Sequence, residues 1–258
     1  MGGGEPLLRI ERLSVRFGGI TALDDVSFDV AEGQICGLIG PNGAGKTTLF
    51  NCLSRLYDSR AGDIRFAGTS LSTMPRHAIA GLGIGRTFQN LALFDSMSVL
   101  DNVMAGGHCR GRSGFLADSL RLPWVAPEEA TLRRNAAELL DLLRLTEVAS
   151  AKVSALPFGT KKRVELARAL ASAPRLLLLD EPAGGLNHEE VASLASLIRT
   201  IREARRLTIV LVEHHMNLVM SVSDKVVALN FGRKVAEGTP AEVQRHPDVI
   251  RSYLGAAA

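Results

Sequence analysis

The chain has only three cysteines, Cys36, Cys52 and Cys109, and no C-x-x-C pair among them. That spacing argues against a zinc site or a disulfide framework and for reduced thiols in a cytosolic protein. Charge of one sign is also missing. Thirty Lys and Arg stand against 27 Asp and Glu, a net charge of +3, with no run of five like charges. This excludes a basic arm, an acidic tail or a nucleic-acid coat, and no nucleic-acid partner is expected. The slight basic excess suits an anionic ligand or a membrane surface. No stretch reaches the roughly 18 apolar residues of a membrane span. Residues 1–6 lack the basic start and apolar stretch of a signal peptide, so a soluble chain is expected. Internal repeats and low-complexity segments are absent as well.

What is present is apolar patterning of two kinds, within a composition that is 46% hydrophobic and ample for a sizeable core. Val26, Phe28 and Val30 alternate with Ser27 and Asp29, the period of a half-buried strand. Leu8 with Ile10, Val15 with Phe17, and Ile64 with Phe66 repeat that period and predict a small antiparallel sheet near the start. Ile35–Ile39, residues 176–179 and Thr208–Val212 are instead continuous apolar runs. Such runs suit parallel strands buried on both faces by helices. Leu132, Ala136, Leu139, Leu140 and Leu143 share one helical face, as do Val191, Leu194, Ile198 and Ile201. Asn187 with Glu190 has the spacing of a capping box before the second helix. Residues 106–124 cluster Gly, Arg, Ser and Pro and read as irregular.

Two motifs carry chemistry. Gly40-Pro41-Asn42-Gly43-Ala44-Gly45-Lys46-Thr47 matches G-x-x-x-x-G-K-[ST] between an apolar strand and an expected helix over residues 48–56. Its glycines let backbone N–H groups converge on phosphate oxygens, and the helix N-terminus adds partial positive charge. Lys46 is expected to reach the β- and γ-phosphates of a nucleotide, and Thr47 to bind Mg²⁺. Asp180-Glu181 follows the buried run at residues 176–179, the strand end at which α/β sheets bind ligands. Beside a phosphate loop, Asp180 suits Mg²⁺ and Glu181 suits a general base for an attacking water.

With these residues in place, the chain resembles the ATP-binding subunit of an ABC transporter over nearly its whole length. Thr87-Phe88-Gln89-Asn90 resembles the glutamine loop, and Ala183-Gly184-Gly185-Leu186-Asn187 the D-loop, with Asn187 where aspartate is commoner. His214, two residues beyond the run Thr208–Val212, resembles the switch histidine, and Phe17 the aromatic that stacks on adenine. The resemblance implies an α/β fold: a P-loop NTPase core with a RecA-like parallel sheet, an antiparallel β subdomain and an ABC-specific α-helical subdomain. A single domain over 1–258 is implied, with the antiparallel part at 6–35 and 60–72. The core is expected at 36–90 and 167–235, the helical subdomain at 91–166 and a C-terminal tail at 236–258. The implied catalytic residues are Glu181, His214 and Gln89, and the implied metal ligands Thr47, Gln89 and Asp180. ATP would be bound by Phe17, Gly40, Asn42, Gly43, Ala44, Gly45, Lys46, Thr47, Thr48 and, toward a partner's site, Gly159.

The signature segment departs from the family. Its usual form is Leu-Ser-Gly-Gly-Gln, whereas this chain has Leu156-Pro157-Phe158-Gly159-Thr160. Pro157 has neither the hydroxyl of the usual serine nor an N–H. Loss of such a charge-assisted bond costs roughly 1.5–3 kcal/mol. The aromatic signature, the Glu-Pro-Ala-x-Gly-Leu-Asn run, and the ending from Gly238-Thr239-Pro240 to Gly255 are similar to the ATPases of branched-chain amino-acid importers. By that resemblance the partners are a second ABC ATPase subunit, identical or related, two membrane permease subunits and, indirectly, a solute-binding protein. The location implied is the cytoplasm, peripheral on the inner face of the membrane. A lipid or lipopolysaccharide exporter and a soluble ABC ATPase are the competing readings. One cassette, no long heptads and no basic tract weigh against the second.

Overall fold

The computed structural model describes residues 5–88, 91–110 and 125–254. Gln89 and most of the stretch read as irregular, residues 111–124, lie outside the described residues. In chain order the strands are β1 (Leu8–Phe17), β2 (Ile20–Val30), β3 (Ile35–Ile39), β4 (Ala61–Phe66), β5 (Thr69–Ser70), β6 (Ile84–Arg86), β7 (Leu176–Asp180), β8 (Thr208–Val212), β9 (Lys225–Asn230) and β10 (Arg233–Gly238). They form two sheets. One is antiparallel, in the order β2-β1-β4-β5; the other runs β10-β9-β3-β8-β7-β6. In the larger sheet β9, β3, β8, β7 and β6 are parallel and β10 closes one edge as a hairpin with β9.

The continuous apolar runs become the middle of the larger sheet, and every residue of β3, β7 and β8 is buried. Their side chains divide by the two-residue period of a strand. Ile35, Ile39, Leu177, Leu179, Ile209 and Leu211 join one core cluster. Cys36, Leu38, Leu176, Leu178, Val210 and Val212 join the other, which they share with the antiparallel sheet. Burial pushes the thiol of Cys36 up to about 12 and that of Cys52 up to about 11, so both are inert packing groups.

The helices are α1 (Lys46–Leu53), α2 (Val99–Gly106), α3 (Val125–Leu142), α4 (Phe158–Ala171), α5 (His188–Arg205), α6 (Met216–Val222), α7 (Pro240–Gln244) and α8 (Pro247–Leu254). The apolar stripe of α3 buries Ala136, Leu139 and Leu140, and that of α5 buries Leu194, Ala195, Ile198 and Ile201. Asn187 and Glu190 form the capping box reciprocally. Helix α6 lies close on β3: a Cβ at Gly37 would fall 2.5 Å from a Val219 methyl, so only glycine admits this approach. Helix α4 runs through the expected boundary at 166/167 and so links the helical segment to the core without a break. Strands β6, β9 and β10 are not singled out by sequence pattern. β6 is only three residues long and ends on an arginine.

The two sheets are tied by charge as well as by packing. Lys225 of β9 donates to the carbonyl (2.9 Å) and the carboxylate (3.0 Å) of Asp29 in β2, and pairs with Glu237 of β10. Burial pushes the Glu237 carboxyl up, but hydrogen bonds from Lys225 and Lys234 outweigh it and hold the group below its ordinary range. A carboxyl lowered on folding stabilises the protein above its unfolded pKa, and the effect fades as pH falls through the folded value. Glu237→Gln is expected to cost about 1 kcal/mol at neutral pH. In urea unfolding, the gap to the natural chain should close progressively below about pH 4.5. A gap unchanged down to about pH 3 would show that the pair contributes nothing.

Candidate functional site

The phosphate-loop sequence forms the turn between β3 and α1. Gly45 adopts φ 102° as the N-cap of α1, a left-handed conformation that strains any residue with a side chain. A Cβ there would also lie 2.7 Å from the Ala22 carbonyl oxygen. The helix therefore starts at Lys46, two residues before the expected start. It stops at Leu53 rather than residue 56, because Arg55 turns the chain with φ 55°. By helix geometry the first-turn N–H groups have no carbonyl four residues back, which leaves them for a ligand at the end of β3. Asn42 and Gly43 are exposed at the loop crest, and a Cβ at Gly43 would meet nothing within 4 Å. Lys46 is buried, its Nζ donating to the carbonyls of Gly40 (2.7 Å) and Pro41 (3.0 Å). Burial lowers its pKa, and the nearby carboxylates of Glu181 and Asp180 oppose that shift.

The ends of β7 and β8 supply those carboxylates and a histidine. Asp180 is buried at the last position of β7. Its Oδ2 accepts from Arg86 Nη2 at 2.9 Å, and its N–H donates to Thr87 Oγ1 at 3.2 Å. Glu181 leaves the strand with φ 47°, an uncommon left-handed turn for a non-glycine residue, fixed by its N–H on the Val212 carbonyl at 2.9 Å. Glu181 Oε1 lies 2.8 Å from His214 Nε2. His215 instead caps α6 without a side-chain bond.

Glu213 joins the two strand ends. It is buried, and its carboxylate accepts from the N–H groups of Ala183 (2.6 Å), His214 (2.9 Å) and His215 (3.2 Å). One carboxylate thus fixes both the turn after Glu181 and the turn that presents His214. Sequence reading gave no role to Arg86 or Glu213. Neither had a signal in the sequence: the burial of Glu213 is decided by the fold, and the partner of Arg86 lies 94 residues away.

The structure gathers Lys46, Thr47, Asp180, Glu181 and His214 at the carboxyl ends of the adjacent strands β3, β8 and β7. Phe17 comes from the antiparallel sheet instead, at the end of β1, edge-on to Tyr57 with ring centroids 4.9 Å apart, and its hairpin partner β2 packs against the phosphate loop at Gly45. Gly159 lies in the first turn of α4, where a Cβ would fall 2.6 Å from Glu190 Oε1. Pro157 is the N-cap of α4 and offers no side-chain cap, while the exposed Phe158 ring sits against Gly185 of the turn before α5. Among the described residues no cluster of three or more His, Cys, Asp or Glu is arranged to hold a metal ion. The hydroxyl of Thr47 and the carboxylate of Asp180 are hard oxygen donors that fit Mg²⁺ when phosphate oxygens complete its shell.

A family model described as "ABC transporter" matches residues 23–184, and one described as "Branched-chain amino acid ATP-binding cassette transporter" matches residues 233–258. The chain is 42% identical over 252 residues to the high-affinity branched-chain amino acid transport ATP-binding protein BraF of Pseudomonas aeruginosa, covering 98% of this chain and 99% of that protein. It is 40% identical over 253 residues to LivG of Escherichia coli, a protein with the same description, with the same coverage. Among solved structures, the ADP conformation of MJ1267, an ATP-binding cassette of an ABC transporter, superposes with a TM-score of 0.85 at 29% identity. That match covers 98% of this chain and 100% of the other.

Because Glu213 satisfies three backbone donors in the interior, Glu213→Ala leaves them unpaired. The substitution is expected to lower stability by about 2–4 kcal/mol, read as a shift of the urea midpoint. A midpoint within error of the natural chain would exclude that bracing role.

Proposed function

The chain belongs to the ABC transporter family, and on that premise we propose that it is the ATP-binding and ATP-hydrolysing subunit of an importer of branched-chain amino acids. The observation that carries this reading is the meeting of loop, acid pair and histidine at adjacent strand ends, in a chain alike from end to end to the ATP-binding subunits of such importers.

The amides of residues 40–48 and the N-terminus of α1 receive the phosphates of ATP. Lys46 exchanges its two carbonyl partners for phosphate oxygens, and Phe17 supports the adenine. Thr47 and Asp180, with Gln89, would hold Mg²⁺, whose charge would offset that developing on the phosphates. Glu181 accepts a proton from the attacking water. His214, 2.8 Å from Glu181, orients that carboxylate and reaches toward the γ-phosphate. The chemistry is mostly positioning and charge stabilisation.

A second ATPase subunit completes the site, with each nucleotide lying between one chain's loop and the other's signature turn near Gly159. Pro157 weakens only the signature's contribution to the partner's nucleotide, and this favours an unequal pair. No described helix is long and apolar enough to cross a membrane, so transport requires permease subunits. A groove of about 370 Å³ is lined by Arg86, Phe88, Ala92, Gly106, Glu165 and Arg168 among others. With the exposed Phe94 and Met97 nearby in sequence, it offers the permeases a docking surface on the cytoplasmic face of the membrane. Buried Glu165 of α4 accepts from the Phe88 N–H at 3.1 Å, tying the helical segment to the chain that leads to Gln89.

Glu181→Gln is expected to bind ATP within about threefold of the natural chain and to slow hydrolysis by about 10²–10⁴-fold; normal turnover would remove Glu181 from the base role. Lys46→Ala should weaken ATP binding by about 10–150-fold in calorimetry, and unchanged affinity would argue against the loop assignment. Cells lacking the chain should lose uptake of labelled leucine, isoleucine and valine. Uptake retained for all three would overturn the solute.

A further inference from the structure

Arg86 is the last residue of β6, and its guanidinium is almost fully buried next to the acid pair. Nη2 bonds Asp180 Oδ2 at 2.9 Å. Nη1 bonds Asn51 Oδ1 at 2.9 Å and Ser54 Oγ at 3.0 Å, near the C-terminal end of α1. The rings of Phe50 and Phe88 lie 5.7 Å and 5.2 Å from the guanidinium carbon. The planar fork is thus fixed by α1 on one side and presents a donor to Asp180 on the other. A lysine ammonium cannot reproduce this, because it is a point charge with no fixed plane. On the described residues Asp180 Oδ1 accepts no hydrogen bond, so the fork engages one carboxylate oxygen and leaves the other. The neighbouring residue repeats the tie, since Thr87 Oγ1 accepts from the Asp180 N–H.

We propose that Arg86 is a positioning residue that holds the Asp180 carboxylate so that Oδ1 faces the cation. The inference rests on the assignment of Asp180 to Mg²⁺ made above. Two physical effects of Arg86 have opposite signs. As a positive charge it repels a cation from Asp180, so on that effect alone its removal tightens the cation. As a brace it fixes the carboxylate orientation, so its removal weakens the cation. The wedge of Phe50, Phe88, Asn51 and Ser54 around one guanidinium points to the brace as the larger effect. The same brace joins α1, which begins at the phosphate loop, to the residues that lead into Gln89.

The test uses the full chain carrying Glu181→Gln to block turnover, loaded with ATP, with Mn²⁺ in place of Mg²⁺ and free Mn²⁺ read by electron paramagnetic resonance. Arg86→Gln should weaken Mn²⁺ at least fivefold while changing ATP affinity in EDTA less than twofold. Arg86→Lys, which keeps the charge, should also weaken Mn²⁺, and Asn51→Ala, which loosens the fork but leaves the ion pair, should do so by two- to threefold. If Arg86→Gln does not fold, the last two variants decide. Unchanged or tighter Mn²⁺ in Arg86→Lys and Asn51→Ala overturns the inference. Asp180→Asn separates the two layers. If it leaves Mn²⁺ affinity unchanged, the metal assignment of Asp180 fails and the inference with it. If it abolishes Mn²⁺ binding while the Arg86 and Asn51 variants bind normally, only the role of Arg86 fails.

Discussion

A strand buried on both faces can present polar chemistry only at its ends, and the rest of this structure depends on that constraint. Strands β3, β7 and β8 are apolar between their end residues, because alternate residues face two different cores. Their neighbours in the sheet leave no lateral opening. The phosphate loop, Asp180, Glu181 and His214 therefore crowd at one edge, where the strands stop together. The Lys46 ammonium at the start of α1 and the carboxylates of Asp180 and Glu181 at the end of β7 come within electrostatic reach of one another there.

Crowding alone does not fix geometry. Two buried charged side chains do so here, each held by several partners. Glu213 collects three N–H groups from both sides of the Glu181–His214 contact. Arg86 collects Asn51, Ser54 and Asp180 from two different elements. A buried charge left with a single partner is costly, and here the two carboxylate oxygens of Glu213 and the two terminal nitrogens of Arg86 are all engaged, while Arg86 Nε is buried without a hydrogen-bond partner. Lys225 plays a similar part farther away, joining the antiparallel sheet to the edge of the larger one.

The signature segment shows a different kind of dependence. Phe158 stands where the family's usual pattern has glycine, and its ring occupies space that a side chain at residue 185 would need. Gly185, with φ 80°, meets both demands at once: the left-handed turn and the close ring. The signature turn and the turn after the acid pair are thus packed together within one chain. A shift in the turn after Glu181 therefore has a short mechanical route to the first turn of α4.

Sequence by itself determined the residue types and their local setting. The motif ending in Gly45-Lys46-Thr47, the acid pair after an apolar run, the capping box at Asn187 and the two-sided strands were all legible, because each depends on spacing of a few residues. Tertiary structure alone decided which distant groups hold them. The Arg86–Asp180 pair spans 94 residues and the Ala183–Glu213 bond spans 30, and no local pattern marks either. It also decided that α1 begins at Lys46. The Ala22 carbonyl and Leu23 side chain leave no room for a Cβ at Gly45, so chain far from the motif packs where the helix starts.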